Sequence, residues 1–196
     1  MGKTILGIDM RPATGQLYAL GSSSRLYTIN TPNGAAAAVG AMLFSPALNG
    51  TSFGFDFNPT VDRIRVVSNT GQNFRLNPIT GALAMTDLNL KPGTSSVGAA
   101  AYKNNFPGAT TTELYTLDFV TDFMNEQDPP NMGTQVPVGS LGINIDASNG
   151  FDIGGASGIG YAILSTGATT KLYVLNLDSG AANAGVSFPL KSWVLR

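Results

Sequence analysis

The chain has 196 residues, a net charge of −1, and neither cysteine nor histidine. This length is typical of one domain with a buried core, and the near-neutral charge disfavours nucleic acid as a partner. The missing residue types exclude disulfides, thiol nucleophiles, Cys/His zinc sites and catalytic triads that need an imidazole base.

The composition also bears on the location of the protein. No apolar stretch reaches the ~18 residues of a membrane-spanning helix, so we expect no membrane insertion. The start, MGKTILGID, lacks the features of a signal peptide, which leaves either an intracellular protein or a mature form. The low charge and the abundance of Gly, Thr and Asn favour an exported bacterial protein. We therefore expect an extracellular or cell-surface location.

Short apolar or alternating runs, separated by clusters of Gly, Pro, Asn and Ser, predict an all-β chain. The runs fall into four units, at about residues 4–48, 49–95, 96–144 and 145–188, each with four strands. In chain order the predicted strands are ILGID, QLYALG, RLYTIN and AAAAVG; SFGFDF, RIRVVS, NFRL and ALAM; VGAAAY, ELYTLD, DFMNEQ and TQVPVG; and NGFDI, GYAIL, KLYVLN and AANAGV.

An Asn-x-x-x-Gly turn recurs along these units. It appears at 30–34, at 77–81 and again at 176–180, and a longer version at 128–133 stands where the third unit should carry it. Four strands per unit at this spacing predict a β-propeller with four blades of four antiparallel strands. A β-sandwich is the alternative, although a sandwich does not require the recurrence.

The last eight residues, PLKSWVLR (189–196), follow the fourth unit and read as an additional strand. Their apolar side chains, candidates for an assembly contact, are Leu190, Trp193, Val194 and Leu195. This strand either packs against the first unit and closes the ring or adds to the sheet edge of a neighbouring molecule.

Three long motifs resemble the bacterial DUF4394 family: GIDMRPATGQLYALGSSSRLYTIN, FDFNPTVDRIRVVSNTGQNFRLNP and AAYKNNFPGATTTELYTLD. The resemblance extends from about Ile5 to about Ser187. It implies a propeller-like repeat domain, common in exported or surface proteins, without established activity or catalytic residues. The terminal FPLKSWVLR departs from the family pattern.

Asp9, Asp56 and Asp152 occupy equivalent positions, each near the end of the first strand of its unit. If these strands line a central channel, the three carboxylates converge near its axis and could bind Ca²⁺ or a polar ligand. Alternatively, each Asp accepts hydrogen bonds from nearby backbone N–H groups.

Arg65 and Arg75 lie on strands where other units carry Tyr, Thr or Val. Both faces of a blade are covered, so each guanidinium needs a partner, and Asp56 and Asp62 are the nearest acids in the repeat. We expect either an ion pair that fixes packing between blades or a fork that binds a carboxylate or a sugar.

These observations favour a non-enzymatic structural or binding module of the cell exterior, without a cofactor, that associates with protein partners or with itself through its C-terminal strand. A carbohydrate is the other ligand class that we consider. The alternative function is a metal-dependent hydrolase or lyase using the channel carboxylates. That alternative rests on analogy with other propellers.

Overall fold

The computed structural model describes residues 4–92 and 95–187, which form sixteen β-strands and one short 3-10 helix, Pro130–Met132. The first sheet contains β1 (Ile5–Arg11), β2 (Gln16–Gly21), β3 (Arg25–Ile29) and β4 (Ala36–Ala38). The second contains β5 (Phe53–Asn58), β6 (Arg63–Ser68), β7 (Asn73–Leu76) and β8 (Leu83–Thr86). The third contains β9 (Val97–Tyr102), β10 (Leu114–Asp118), β11 (Phe123–Gln127) and β12 (Gln135–Ser140). The fourth contains β13 (Asn149–Ile153), β14 (Gly160–Thr166), β15 (Thr169–Leu175) and β16 (Ala182–Ser187).

Each sheet consists of four consecutive strands with antiparallel neighbours, and the four sheets are the blades of a β-propeller. The predicted fold class is confirmed, and the sandwich alternative is wrong. Each sheet lies within one of the four predicted units. The innermost strands, β1, β5, β9 and β13, surround the central channel.

The recurring turns join the third and fourth strands of blades 1, 2 and 4. In each, the glycine N–H donates to the carbonyl of the asparagine four residues earlier, as from Gly81 to Asn77 at 2.9 Å. Gly81 has φ of 70°, a left-handed conformation that glycine adopts without steric cost. The third blade replaces this turn with the short 3-10 helix.

Three apolar clusters hold neighbouring blades together, one at each of the first three joints. Tyr18 and Leu20 of blade 1 pack on Phe57 and other residues of blade 2. Val67 of blade 2 belongs to a smaller cluster with blade 3, and a third cluster joins blades 3 and 4. These clusters place most of the buried apolar surface between blades.

The inner strands of the first three blades lie close together where a glycine faces the next blade. A Cβ added to Gly7 would lie 2.6 Å from Cβ of Phe55, and one added to Gly54 would lie 2.6 Å from Cβ of Ala100. Glycine therefore lets the inner strands of successive blades approach closely.

The predicted closing or donated strand, 189–196, lies outside the described residues. This includes its four assembly candidates, Leu190, Trp193, Val194 and Leu195. In the part of the chain that the structure describes, no helix has the length and apolar character needed to cross a membrane.

Candidate functional site

Three carboxylates meet at one end of the channel. Asp9, Asp56 and Asp152 lie on β1, β5 and β13, and each contributes an oxygen to a group in which all oxygens are within 4.8 Å of one another. Asp56 is buried, Asp9 is partly buried and Asp152 is exposed. The repeat therefore brings together the three acids that sequence analysis selected.

Backbone N–H groups already use most of these carboxylate oxygens. Each Asp accepts a bond from the N–H of the residue that follows it, at 2.6–2.7 Å. In addition, Asp9 accepts from the N–H of Phe57 in blade 2 at 2.8 Å, and Asp56 accepts from the N–H of Tyr102 in blade 3. Two of the three carboxylates thus link the inner strands of successive blades.

Burial and crowding change the acidity of this group. Burial raises the pKa of Asp56 well above the ordinary carboxyl value, and the adjacent charge of Asp9 raises it further. Burial also raises the pKa of Asp9, although hydrogen bonds from Asp56 and the Phe57 N–H partly offset the effect. Two crowded carboxyls favour holding a proton between them, because both cannot ionise without repulsion.

The same oxygens are a donor set that suits a small hard cation such as Ca²⁺. Such an ion would neutralise the repulsion that otherwise favours a shared proton. The arrangement is thus chemically suited to a cation, to a shared proton, or to linking blades through backbone N–H groups.

The joint between blades 4 and 1 differs from the other three. In the described part of the chain, Asp152 makes no bond across this joint to match those of Asp9 and Asp56, and the Met10 N–H donates to Asp9 alone. A Cβ added to Gly150, the equivalent of Gly7 and Gly54, would meet nothing within 4 Å. Among the residues that the structure describes, the ring therefore has an open seam here.

A cleft of about 390 Å³ occupies the seam. Ile8 and Met10 of blade 1 form one wall, and Tyr161, Ile163 and Leu172 of blade 4 form the other. Ile8 is 58% exposed and Ile163 is 51% exposed. The seam thus leaves apolar side chains of both terminal blades in contact with solvent.

The residue that pairs with this position of the inner strand shows how the joints differ. Across the first strand pair of each blade, Tyr18 faces Asp9, Arg65 faces Asp56, Tyr115 faces Ala101 and Tyr161 faces Asp152. The first three side chains are 2–6% exposed, whereas Tyr161 is 40% exposed. Tyr161 is thus the same residue type that two packed joints carry at this position, but its side chain is not buried.

Arg65 lies at the joint between blades 2 and 3, where its guanidinium is buried and donates four hydrogen bonds. It donates to the carboxylate of Asp87 at 2.6 Å, to the side-chain oxygens of Asn73 and Asn131 at 2.7 and 2.8 Å, and to the Tyr102 hydroxyl at 3.2 Å. With its donors committed to these protein groups, Arg65 fixes packing between blades.

Asp87 also accepts two bonds from Arg75, both at 2.8 Å, in a bidentate pair. The expectation that Asp56 or Asp62 partners these arginines is wrong. Asp62 pairs instead with Arg11 across blades 1 and 2, and Asp56 belongs to the carboxylate group. Asp87 follows β8, the edge strand beside Arg75, and this adjacency places it within reach of both guanidiniums.

The sequence patterns did not predict the contacts of Asp87 and Asn131 or the seam. The signal for Asp87 was that it is the acid nearest to the end of β8, the strand that pairs with the Arg75 strand. The sequence carried no signal for the seam, because Tyr161 stands after the fourth unit's Gly-x-Asp pattern as Tyr18 does after the first.

Solved structures with the same architecture support the fold. The chain resembles PorZ, an essential bacterial surface component of the type-IX secretion system of Porphyromonas gingivalis, at 14% identity and a TM-score of 0.53, covering 94% of this chain and 22% of that one. It resembles BBS1N in complex with ARL6DN at 16% identity and a TM-score of 0.51, covering 89% of this chain and 52% of that one. It resembles the Dos1 propeller at 14% identity and a TM-score of 0.50, covering 92% of this chain and 46% of that one. The chain thus spans between about a fifth and about half of the length of these proteins.

No curated protein matches the sequence. The sequence pattern of one family, described as "Domain of unknown function (DUF4394)", matches residues 1–194. That match spans all four blades. The chain belongs to the DUF4394 family.

Proposed function

We propose that this protein is a non-enzymatic structural and binding module of the bacterial cell exterior that works by associating with other copies of itself. Propellers often serve as binding or structural modules and commonly mediate protein interactions. The observation that carries the proposal is the open seam, whose walls have the residue types of packed joints and remain exposed. Exposed, contiguous apolar surface of this kind is typical of protein-binding sites.

The chemistry of the carboxylate group supports a role without catalysis. The oxygens of Asp9 and Asp56 accept hydrogen bonds from backbone N–H groups of neighbouring strands, which is a structural use of these side chains. The sequence has no histidine or cysteine to serve as base or nucleophile beside them.

Sedimentation velocity of the 196-residue chain over a wide range of concentration tests self-association. We expect larger species to grow in at higher concentration, because an open apolar seam is buried only by a second molecule or segment. A species of constant monomer mass throughout the range would refute self-association.

The proposed location is tested separately on intact cells. An antibody against the propeller should label intact bacteria as strongly as permeabilised ones. Labelling only after permeabilisation would overturn the external location without bearing on self-association.

The three carboxylate oxygens within 4.8 Å of one another favour a second candidate function, binding of a cation or small polar ligand in the channel mouth. A metal-dependent hydrolase or lyase would require that cation. A calcium titration, described below, separates this candidate from the first.

A further inference from the structure

The seam has the features of an acceptor for a strand. At each of the two joints that carry a bridging Asp and a Gly, the next blade supplies a backbone N–H to the carboxylate and a side chain over the glycine. Phe57 N–H and Phe55 do this for Asp9 and Gly7, for example. At the seam, Asp152 and Gly150 have the same arrangement, and no described residue makes these contacts to them.

One extended segment could make all of these contacts. Its backbone would provide an N–H group for Asp152, and a bulky side chain would fill the space over Gly150 and cover Tyr161 and Ile163. Insertion of a strand is a common mode of association, because main-chain bonds give affinity and side-chain pockets give specificity.

The chain has one suitable segment outside the described residues, FPLKSWVLR at 188–196. It contributes five large apolar side chains, including Trp193, and two cations, Lys191 and Arg196. The cleft contains Asp9, Asp56 and Asp152, and none of its described lining residues is basic. The apolar and cationic residue types of the segment therefore complement the apolar walls and the carboxylates of the cleft.

The segment begins close to the cleft edge. The last described residue, Ser187, pairs with Lys171, which adjoins Leu172 of the cleft wall. Nine residues reach about 30 Å when extended, more than the length of an inner strand of five to seven residues.

Sequence chemistry favours insertion into another molecule over a return into the same one. Pro189 disfavours a helical backbone at Phe188 and favours an extended one. Residues 188–196 contain no Gly, Asn or Asp, the residues that most readily adopt the left-handed backbone of many tight turns.

We propose that residues 188–196 of one copy insert into the seam cleft of a second copy, between its blades 1 and 4. This inference rests on the proposed self-association and names its donor and its acceptor. Because donor and acceptor surfaces differ, the contact is heterologous, and it propagates head to tail unless a ring closes.

A complementation experiment with two full-length variants tests the donor and the acceptor. Trp193→Asp disables the donated segment and leaves the cleft intact, whereas Ile163→Lys blocks the cleft and leaves the segment intact. We expect each variant alone to be monomeric by sedimentation velocity. An equimolar mixture should form a one-to-one dimer, because one functional segment meets one functional cleft.

Two further variants serve as a control and as a replacement. Val120→Lys changes a side chain that is 69% exposed in the β10–β11 turn, away from the seam, and should assemble like the original protein. Met10→Lys, on the opposite wall of the cleft, should behave like Ile163→Lys, and it serves if that variant fails to fold by circular dichroism.

The outcomes separate this inference from the proposed function. Assembly that persists in Trp193→Asp, or a mixture that stays monomeric while the original protein assembles, overturns strand insertion and leaves self-association standing. A monomeric original protein overturns both. If, in that case, a synthetic peptide of residues 188–196 binds to Trp193→Asp but not to the original protein, the segment occupies its own cleft.

Discussion

The joint between blades 1 and 2 and the seam between blades 4 and 1 are built from the same repeat and differ in burial. At the first, Tyr18 is buried and Asp9 bonds to the next blade. At the second, Tyr161 is exposed, and within the described ranges Asp152 bonds only to its own strand. A repeat therefore specifies the chemistry of both blade faces, and the presence of a neighbour decides whether that chemistry stabilises the fold.

The largest loss of stability is expected when the buried ion pair of a packed joint is broken. Arg65→Ala leaves Asp87, whose side chain is 4% exposed, with Arg75 as its remaining cation and removes the donor to Asn73, Asn131 and Tyr102. Loss of one partner of a buried ion pair costs about 3–5 kcal/mol. Urea denaturation should give a free energy of unfolding lower by that amount.

Arg11→Ala is the matched control, because Arg11 pairs with the more exposed Asp62 across blades 1 and 2. We expect a loss of about 1 kcal/mol or less. Equal losses for both variants would contradict the view that Arg65 fixes its joint.

Two neighbours on β14 compare a packed face with the seam face directly. Leu164 is fully buried in the cluster between blades 3 and 4, whereas Ile163 points into the seam. Leu164→Ala should lower the free energy of unfolding by about 2–5 kcal/mol because it leaves a cavity. Ile163→Ala should change it by less than about 0.5 kcal/mol in the monomer.

Thermal or urea unfolding at low protein concentration measures both values. A loss for Ile163→Ala as large as that for Leu164→Ala would mean that the seam is packed in the monomer, and strand insertion from another copy would then have no open acceptor.

The carboxylate group predicts a pH dependence. The pKa values of Asp9 and Asp56 are raised in the folded state, so the folded protein binds more protons than the unfolded chain above the ordinary carboxyl pKa of about 4. The contribution of these two carboxyls to the free energy of unfolding is therefore fully present below about pH 4. It decreases as the pH rises through the raised pKa values. The melting temperature of the original protein, relative to a variant without the pair, should rise on acidification.

Asp56→Asn is that variant, because it removes one of the two charges and keeps a polar side chain of similar size. Its melting temperature should depend less on pH than that of the original protein. Parallel pH profiles for the two proteins would show that the raised pKa values do not contribute to stability.

Local patterns predicted the strands, the turns and the convergence of the three Asp residues, because alternation and turn residues act over a few positions. They did not predict Asp87 as the partner of Arg65, since that contact depends on how β8 leaves the sheet. The exposure of Tyr161 was also hidden, because a repeat implies equivalent joints and carries no information on whether the last blade meets the first.

The smallest change in melting temperature is expected when calcium is added. If Asp9, Asp56 and Asp152 mainly link blades and hold a shared proton, millimolar calcium should leave the melting temperature unchanged at neutral pH. A cation site would instead stabilise the fold by about 2.7 kcal/mol at a calcium concentration a hundred times the dissociation constant. Asp152→Asn is the decisive control, because Asp152 is exposed and makes no described bond to another blade, so its loss should remove calcium binding without weakening a joint. A calcium-dependent rise in melting temperature that Asp152→Asn abolishes would favour the channel-mouth cation site over the purely structural use of these carboxylates.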